Sequence, residues 1–282
     1  MMTMTERMDA AVVKSGSLVC VGLDPDPARM PVKDIFEFNR AIVDATKDIV
    51  AAYKPQMAFY EAEGSAGLRA LELTVQHIRD VAPDVFILGD AKRCDMGNTS
   101  VAYARAMFEA WDFDGVTIVP YVGSDGVEPF LNYPGRGAFI VCRTSNPSAR
   151  DLQDLKVRSG EYEFRLYEVV ARAAEKWGRG GNVGLVVGAT YPGELRDLRR
   201  HHPSLPILIP GVGAQGGDAA TAARMGANGD RRGMVISSSR GIIYASSDPA
   251  KFAAQSRRAC MALRDEINEA LRGPALIETT RA

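Results

Sequence analysis

Short, nearly continuous apolar runs alternate along the chain with longer segments whose apolar residues recur every three or four positions. The runs are Ser17–Leu23, Ala51–Met57, Val85–Ala91, Gly115–Val119, Ala138–Arg143, Val183–Gly188, Pro206–Pro210 and Met234–Ser238. Val85-Phe86-Ile87-Leu88 and Ile207-Leu208-Ile209 are apolar at every position, which suits parallel strands covered on both faces. Helical stretches fill the gaps. Asp34 stands as N-cap before a face containing Ile35, Phe38 and Ile42, and Leu68, Leu71, Val75 and Ile78 mark another. The last helix is predicted to begin at Asp248 as N-cap with Pro249 in its first turn, and to stop at Gly273-Pro274.

Eight strand–helix units in 282 residues average about 35 residues each, the repeat expected of a (β/α)8 TIM barrel. A doubly wound sheet is the alternative, but it usually has fewer strands and an early phosphate loop. Here the glycine-rich turn follows the seventh run, where barrels commonly bind phosphate. The expected organisation is one α/β barrel domain over residues 15–273, with loosely held tails at 1–14 and 274–282.

Charge and composition narrow the partners. The chain has 34 basic and 35 acidic residues, so no global field attracts nucleic acid or an anionic membrane, and an anionic ligand must be caught locally. No apolar run reaches transmembrane length, and the polar start, Met1 to Asp9, lacks the apolar core of a secretory signal. Cys20, Cys94, Cys142 and Cys260 lie far apart without a CxxC pair, which disfavours a zinc ribbon or disulfide framework and points to a reduced, cytoplasmic protein. The only histidines are His77, read as mid-helix, and His201 and His202, read as a helix end before Pro203. Their scarcity weighs against histidine metal sites and Ser-His-Asp catalysis, and packing or surface roles suffice for all three.

The segment Gly89 to Thr99 holds the densest chemistry. Asp90 and Lys92 are two apart at the end of a buried strand, so period-two geometry sends both side chains to one face. Taken alone, the pair reads as a structural salt bridge. At the C-terminal rim of a barrel strand it reads as functional. Lys54, in the second strand, needs a partner that Asp90 on the adjacent strand can supply. Asp95 lies just beyond and could extend the line of charges. Asp24 ends the first strand, although Asp24-Pro25 is equally a turn signal.

The other end of the site is predicted after the seventh and eighth strands. Pro210-Gly211-Val212-Gly213-Ala214-Gln215-Gly216-Gly217-Asp218 contains a formal GxGxxG, but it lacks the first-unit context of a dinucleotide site. The narrower expectation is that its glycines let backbone amides approach an anion, with Gln215 as a further donor. Arg240 follows Ser239 and is placed to fork onto a phosphate. At the fifth strand end, Thr144-Ser145-Asn146 could read a polar heterocycle or simply form a turn before Pro147.

Asp24, Lys54, Asp90-x-Lys92-x-x-Asp95 with Thr99, Thr144-Ser145-Asn146, the Pro210–Gln215 turn and Ser239-Arg240, in this order, resemble the orotidine 5′-phosphate decarboxylase family. The similarity is to its longer bacterial subgroup and runs from about Leu18 to Tyr244. It implies a homodimeric barrel that converts orotidine 5′-phosphate to UMP and carbon dioxide, the last step of de novo UMP synthesis, without metal or organic cofactor. By position, it implies Lys92 as proton donor to C6 of the pyrimidine and Asp90 facing the substrate carboxylate. Lys54 and Asp95 would complete the charged array, with Asp95 and Thr99 reaching into the partner subunit's site. Asp24 and Lys54 would hold ribose hydroxyls, Ser145 the pyrimidine, and Gln215 and Arg240 the phosphate. Met96 stands where the family often has isoleucine, and Ser148–Gly160 is longer than in the shortest members, with no role implied. Two other readings are a magnesium-dependent sugar-phosphate decarboxylase or lyase on a related barrel, and a non-catalytic nucleotide-binding barrel.

Overall fold

A ring of backbone hydrogen bonds joins eight parallel strands of the computed structural model, which describes residues 1–213 and 216–273. The first five are β1 (Val19–Leu23), β2 (Ala52–Pro55), β3 (Phe86–Arg93), β4 (Gly115–Ile118) and β5 (Gly137–Arg143). A small hairpin, β6 (Lys156–Ser159) and β7 (Tyr162–Arg165), interrupts the series before β8 (Val183–Val187), β9 (Ile207–Ile209) and β10 (Met234–Ser238). The closed order is β1-β10-β9-β8-β5-β4-β3-β2, so the chain forms a (β/α)8 barrel. All eight apolar runs became barrel strands, five of them one to three residues shorter than predicted, two a residue longer and one unchanged.

Closure explains the apolar runs. Every residue of β1, β8 and β10 is buried, because one face fills the barrel and the other meets the helices. Phe86 and Phe139 cross edge to face with centroids 6.4 Å apart over Gly115, where even a Cβ would come within 3.2 Å of a ring. Outside, the helix Ile35–Thr46 starts at its N-cap Asp34, whose side chain accepts from Glu37 N at 2.8 Å as predicted. Its Phe38 stacks between Tyr244 and Phe252, with centroids 5.7 and 5.5 Å away. The helix Gly64–Val81 buries Leu71, Val75 and Ile78.

Two expectations at the ends are corrected. Residues 1–14 are not a loose tail: Met4–Ser15 is a helix with Met4 and Met8 fully buried. Thr3 and Glu6 form a reciprocal capping box at its start, and Arg7 pairs with the buried Asp114 just before β4. Asp114 also accepts from Ile87 N at 2.8 Å, so the helix is tied to the sheet by a charge already fixed there. The last helix begins at Phe252, not Asp248, because Asp248 closes a separate turn by accepting from Ala250 N at 2.9 Å. It ends at Arg272 with Gly273 as its C-cap, and residues 274–282 lie outside those described. The histidines take ordinary roles, His77 beside Asp44 and His202 beside Glu175.

Candidate active site

The C-terminal strand ends surround a cavity of about 340 Å³. Asp24, Lys54, Asp90, Lys92, Ser145 and Arg240 all line it, so six of the candidate residues meet in one place. Asp95 and Thr99 do not line it. Asp95 turns back to accept from Met96 N at 2.8 Å, and Thr99 is exposed in the helix Gly97–Arg105. Gln215 lies outside the described residues.

Asp90 is the hub of the floor. Lys54 Nζ and Gln56 Nε2 donate to its Oδ2, each at 2.9 Å. Lys92 Nζ donates to its Oδ1 at 2.6 Å, and Thr117 Oγ1 to the same oxygen at 2.8 Å. Burial alone would favour the neutral acid, but Lys54 and Lys92 outweigh it and hold the Asp90 carboxyl well below the usual carboxylate range. Burial likewise works against the Lys54 ammonium, yet Asp90 and Asp24 hold its pKa above the ordinary lysine value. Lys54 is therefore a fixed, buried cation. The Lys92 side chain is 47% exposed and forms the open end of the line.

Period two predicted that Asp90 and Lys92 share a face, and they do meet, but by another route. β3 and β4 slip register between Gly89 and Arg93, and Lys92 sits at φ 45°, a left-handed conformation rare for an L-residue. A bulge, not a regular pleat, carries the lysine into the mouth.

Asp24 Oδ1 lies 3.9 Å from Lys54 Nζ and is buried without a hydrogen-bond partner among the described residues. An orphaned carboxylate oxygen on a cavity wall is ready to accept from a ligand hydroxyl. Its turn is clamped by Tyr244, whose hydroxyl donates to Asp24 O at 2.7 Å and accepts from Asp26 N at 2.6 Å. Ser145 is held close to β8: a Cβ on Gly188 would come within 2.9 Å of it, so only glycine fits there.

The glycine turn departs from expectation. Gly211, Gly213 and Gly216 all have positive φ, but three of the turn's amides are used internally. Gly213 N donates to Gly217 O at 2.9 Å, Gly216 N to Gly213 O at 2.8 Å and Gly217 N to Gly211 O at 3.1 Å. The glycines shape the rim, and those three amides do not face an anion. Arg240 is exposed on the same wall, and its guanidinium makes no hydrogen bond or ion pair among the described residues and is available to a ligand.

Gln56, Thr117 and Tyr244 went unnoticed in the sequence. Gln56 had a signal, since it stands two residues after Lys54 and so on the same strand face. Thr117 and Tyr244 had none, because a threonine in a strand and a tyrosine near a helix are ordinary.

The segment after β5 is also clearer. Arg143, buried beneath it, pairs with Asp154 at 3.0 Å and lies over the Tyr191 ring at 3.9 Å. Gln153 accepts from Thr144 N at 2.9 Å and donates to Thr144 Oγ1 at 2.8 Å. The insertion is thereby fastened to the strand end that presents Ser145.

Comparison with known proteins gives one answer. The profile described as "Orotidine 5′-phosphate decarboxylase / HUMPS family" matches residues 17–255. An orotidine 5′-phosphate decarboxylase of Roseiflexus castenholzii (strain DSM 13941 / HLO8) is 49% identical, covering 96% of this chain and 99% of its own. One of Paracidovorax citrulli (strain AAC00-1) is 46% identical, covering 95% and 99%. Among solved structures, the OMP decarboxylase of Leishmania donovani superposes with a TM-score of 0.83 at 35% identity, covering 97% of this chain and 100% of that one.

Proposed function

The chain belongs to the orotidine 5′-phosphate decarboxylase / HUMPS family, and we propose that it is the decarboxylase itself, converting orotidine 5′-phosphate to UMP and carbon dioxide without metal or organic cofactor. The observation that carries this reading is the unbroken line Lys54–Asp90–Lys92 on the cavity floor, buried at one end and open at the other.

The chemistry asks for such a line. When the bond from C6 to the carboxylate breaks, its electron pair stays on C6, and no adjacent carbonyl can accept it. A fixed ammonium meets that charge where it forms. The proton then passes from Lys92 to C6, giving UMP, and Lys92 is reprotonated from water. Asp90 faces the departing carboxylate, disfavours it in the ground state and keeps Lys92 aimed. Enzymes lower barriers by about 8–23 kcal/mol, more than one ion pair supplies, so binding of the remote phosphate and ribose must contribute. Arg240 takes the phosphate with Gln215, Asp24 and Lys54 take ribose hydroxyls, and Ser145 takes the pyrimidine. The orphaned Asp24 oxygen and the Arg240 guanidinium, unpaired among the described residues, support these roles.

Asp95 and Thr99 serve a second copy of the chain in a homodimer. Neither lines its own cavity, and Met96 and Val101 on their segment are 62% and 53% exposed. Tyr121, 86% exposed, lies on the neighbouring loop, whose following helix accepts from Ser100 Oγ at Gly126 O (2.7 Å). Such an apolar surface suits burial against a second copy. Among the described residues no helix is long and apolar enough to cross a membrane, and the cytoplasm, with nucleotide rather than nucleic acid as ligand, is the setting this reading expects.

The test follows the loss of orotidine 5′-phosphate absorbance with a chelator present. Turnover is expected in the wild type and near-complete loss in Lys92→Ala, with fold and assembly intact. Substantial turnover by that variant would remove the proton-donor role, and abolition of wild-type activity by the chelator would favour the magnesium-dependent reading. Arg240→Ala should chiefly impair the phosphorylated substrate. An equal loss on orotidine lacking phosphate would contradict a phosphate grip.

A further inference from the structure

The bulge in β3 leaves the amide of the candidate proton donor outside the regular ladder. Gly89 pairs with Val116 but Arg93 with Ile118, so four steps along β3 answer two along β4. Within the excess, Lys92 adopts φ 45°, a conformation that persists only where the surroundings over-determine it. Its N–H donates to Thr117 Oγ1 at 3.0 Å. The same hydroxyl spends its single proton on Asp90 Oδ1 at 2.8 Å, and that oxygen also receives Lys92 Nζ at 2.6 Å. The bonds close a ring: Lys92 amide to Thr117, Thr117 to Asp90, Asp90 to the Lys92 ammonium. One hydroxyl is thus bonded to the backbone of the lysine and to the carboxylate that holds its head. The donors in this chain polarise one another.

We propose that Thr117 is a positioning residue for the decarboxylation, fixing both the strained backbone and the aim of Lys92. The proposal rests on the reading of the site as a decarboxylase. Thr117 borders the cavity but is only 1% exposed, its hydroxyl is committed to the Lys92 amide and Asp90, and the groups assigned to phosphate, ribose and pyrimidine lie on other strand ends, so it acts through Asp90 and Lys92. Its shape alone would be met equally well by valine, which is β-branched and suits a buried strand. What valine lacks is the partner for the Lys92 amide and one of the four donors to Asp90.

The experiment compares wild type, Thr117→Val and Thr117→Ser in steady-state turnover of orotidine 5′-phosphate, with UMP affinity measured by calorimetry and the fold checked by circular dichroism. For Thr117→Val we expect kcat to fall about 10- to 100-fold, the size of losing a buried hydrogen bond to a charged group, while KM and UMP affinity stay within about threefold. Thr117→Ser keeps the hydroxyl and should restore kcat to within roughly threefold of wild type. A valine variant with wild-type kcat, a loss confined to KM, or a serine variant as impaired as valine would each overturn the proposal. These outcomes leave the functional reading standing, because the wild type still turns over. A wild type without turnover would overturn that reading, and this proposal with it.

Discussion

Asp90 and Lys54 carry opposite charges 2.9 Å apart, yet deleting one should cost far more stability than deleting the other. Asp90→Ala removes the acceptor of four donors. Lys92 is half exposed and Gln56 partly so, and both can turn to water. Lys54 cannot: it is 5% exposed, and its remaining anion, Asp24, stands 3.9 Å away. Stranding a buried charge in this way costs about 3–5 kcal/mol. Lys54→Met removes the buried ammonium and fills its path with an unbranched apolar chain. Asp90 then keeps Lys92 at 2.6 Å, Thr117 at 2.8 Å and Gln56 at 2.9 Å, so the carboxylate stays satisfied. The cost should be about 1 kcal/mol. At roughly 2–4 °C per kcal/mol for a chain of this size, Asp90→Ala lowers Tm by on the order of 10 °C, and Lys54→Met by only a few degrees.

Thermal unfolding followed by circular dichroism at pH 7, without ligand, reads the difference. Both variants should be inactive, so activity does not separate them. The gap should persist at pH 5. Asp90 is held below the usual carboxylate range, so its contribution is complete above the unfolded value near 4 and is lost only as pH falls through the lower folded value. Equal shifts, or a larger loss for Lys54→Met, would refute the claim that Asp90 is the hub that secures Lys54.

Two further expectations concern the scaffold. Met8→Ala, in the N-terminal helix, should destabilise by about 2–5 kcal/mol, because Met8 is fully buried; a shift in the urea midpoint no larger than that of the exposed Val13→Ala would show that the helix is not part of the core. Burial pushes the thiols of Cys20, Cys142 and Cys260 up to about 12. Unfolded thiols ionise near 8.5, so above that pH the unfolded chain sheds protons that the folded one keeps, and each thiol should cost about 1.4 kcal/mol per pH unit. The urea midpoint should therefore fall steeply between pH 8.5 and 10, and a flat profile would contradict the burial.

The parts of the fold that were legible share a physical cause. A parallel barrel strand is covered on both faces, so it appears in sequence as an uninterrupted apolar run. The hairpin of β6 and β7 has no such cover: Lys156, Arg158, Ser159, Tyr162, Glu163 and Arg165 are exposed, and nothing in their composition sets them apart from a loop. The N-terminal helix did carry a pattern, with Met4, Met8, Ala11 and Val12 on one face, but polar residues around it made that face look incidental. Its ion pair with Asp114 joins positions over a hundred residues apart, a separation that local patterning does not register.

The site divides along the same line. Charges at strand ends were visible because a buried carboxylate or ammonium is costly, so its presence in an apolar run demands a reason. Asp24, Lys54, Asp90 and Lys92 all announced themselves that way. The groups that direct those charges were not visible, because they are cheap anywhere. The period-two rule reached the right meeting of Asp90 and Lys92 although the strand does not obey it there. A regular pleat fixes a side chain only through its own strand. The bulge instead takes the Lys92 amide out of the ladder and hands it to a hydroxyl on the next strand. The placement of the lysine is therefore written in two segments, Asp90–Lys92 and Thr117, that only barrel closure brings together, and a reading confined to one segment finds the charges without finding what aims them.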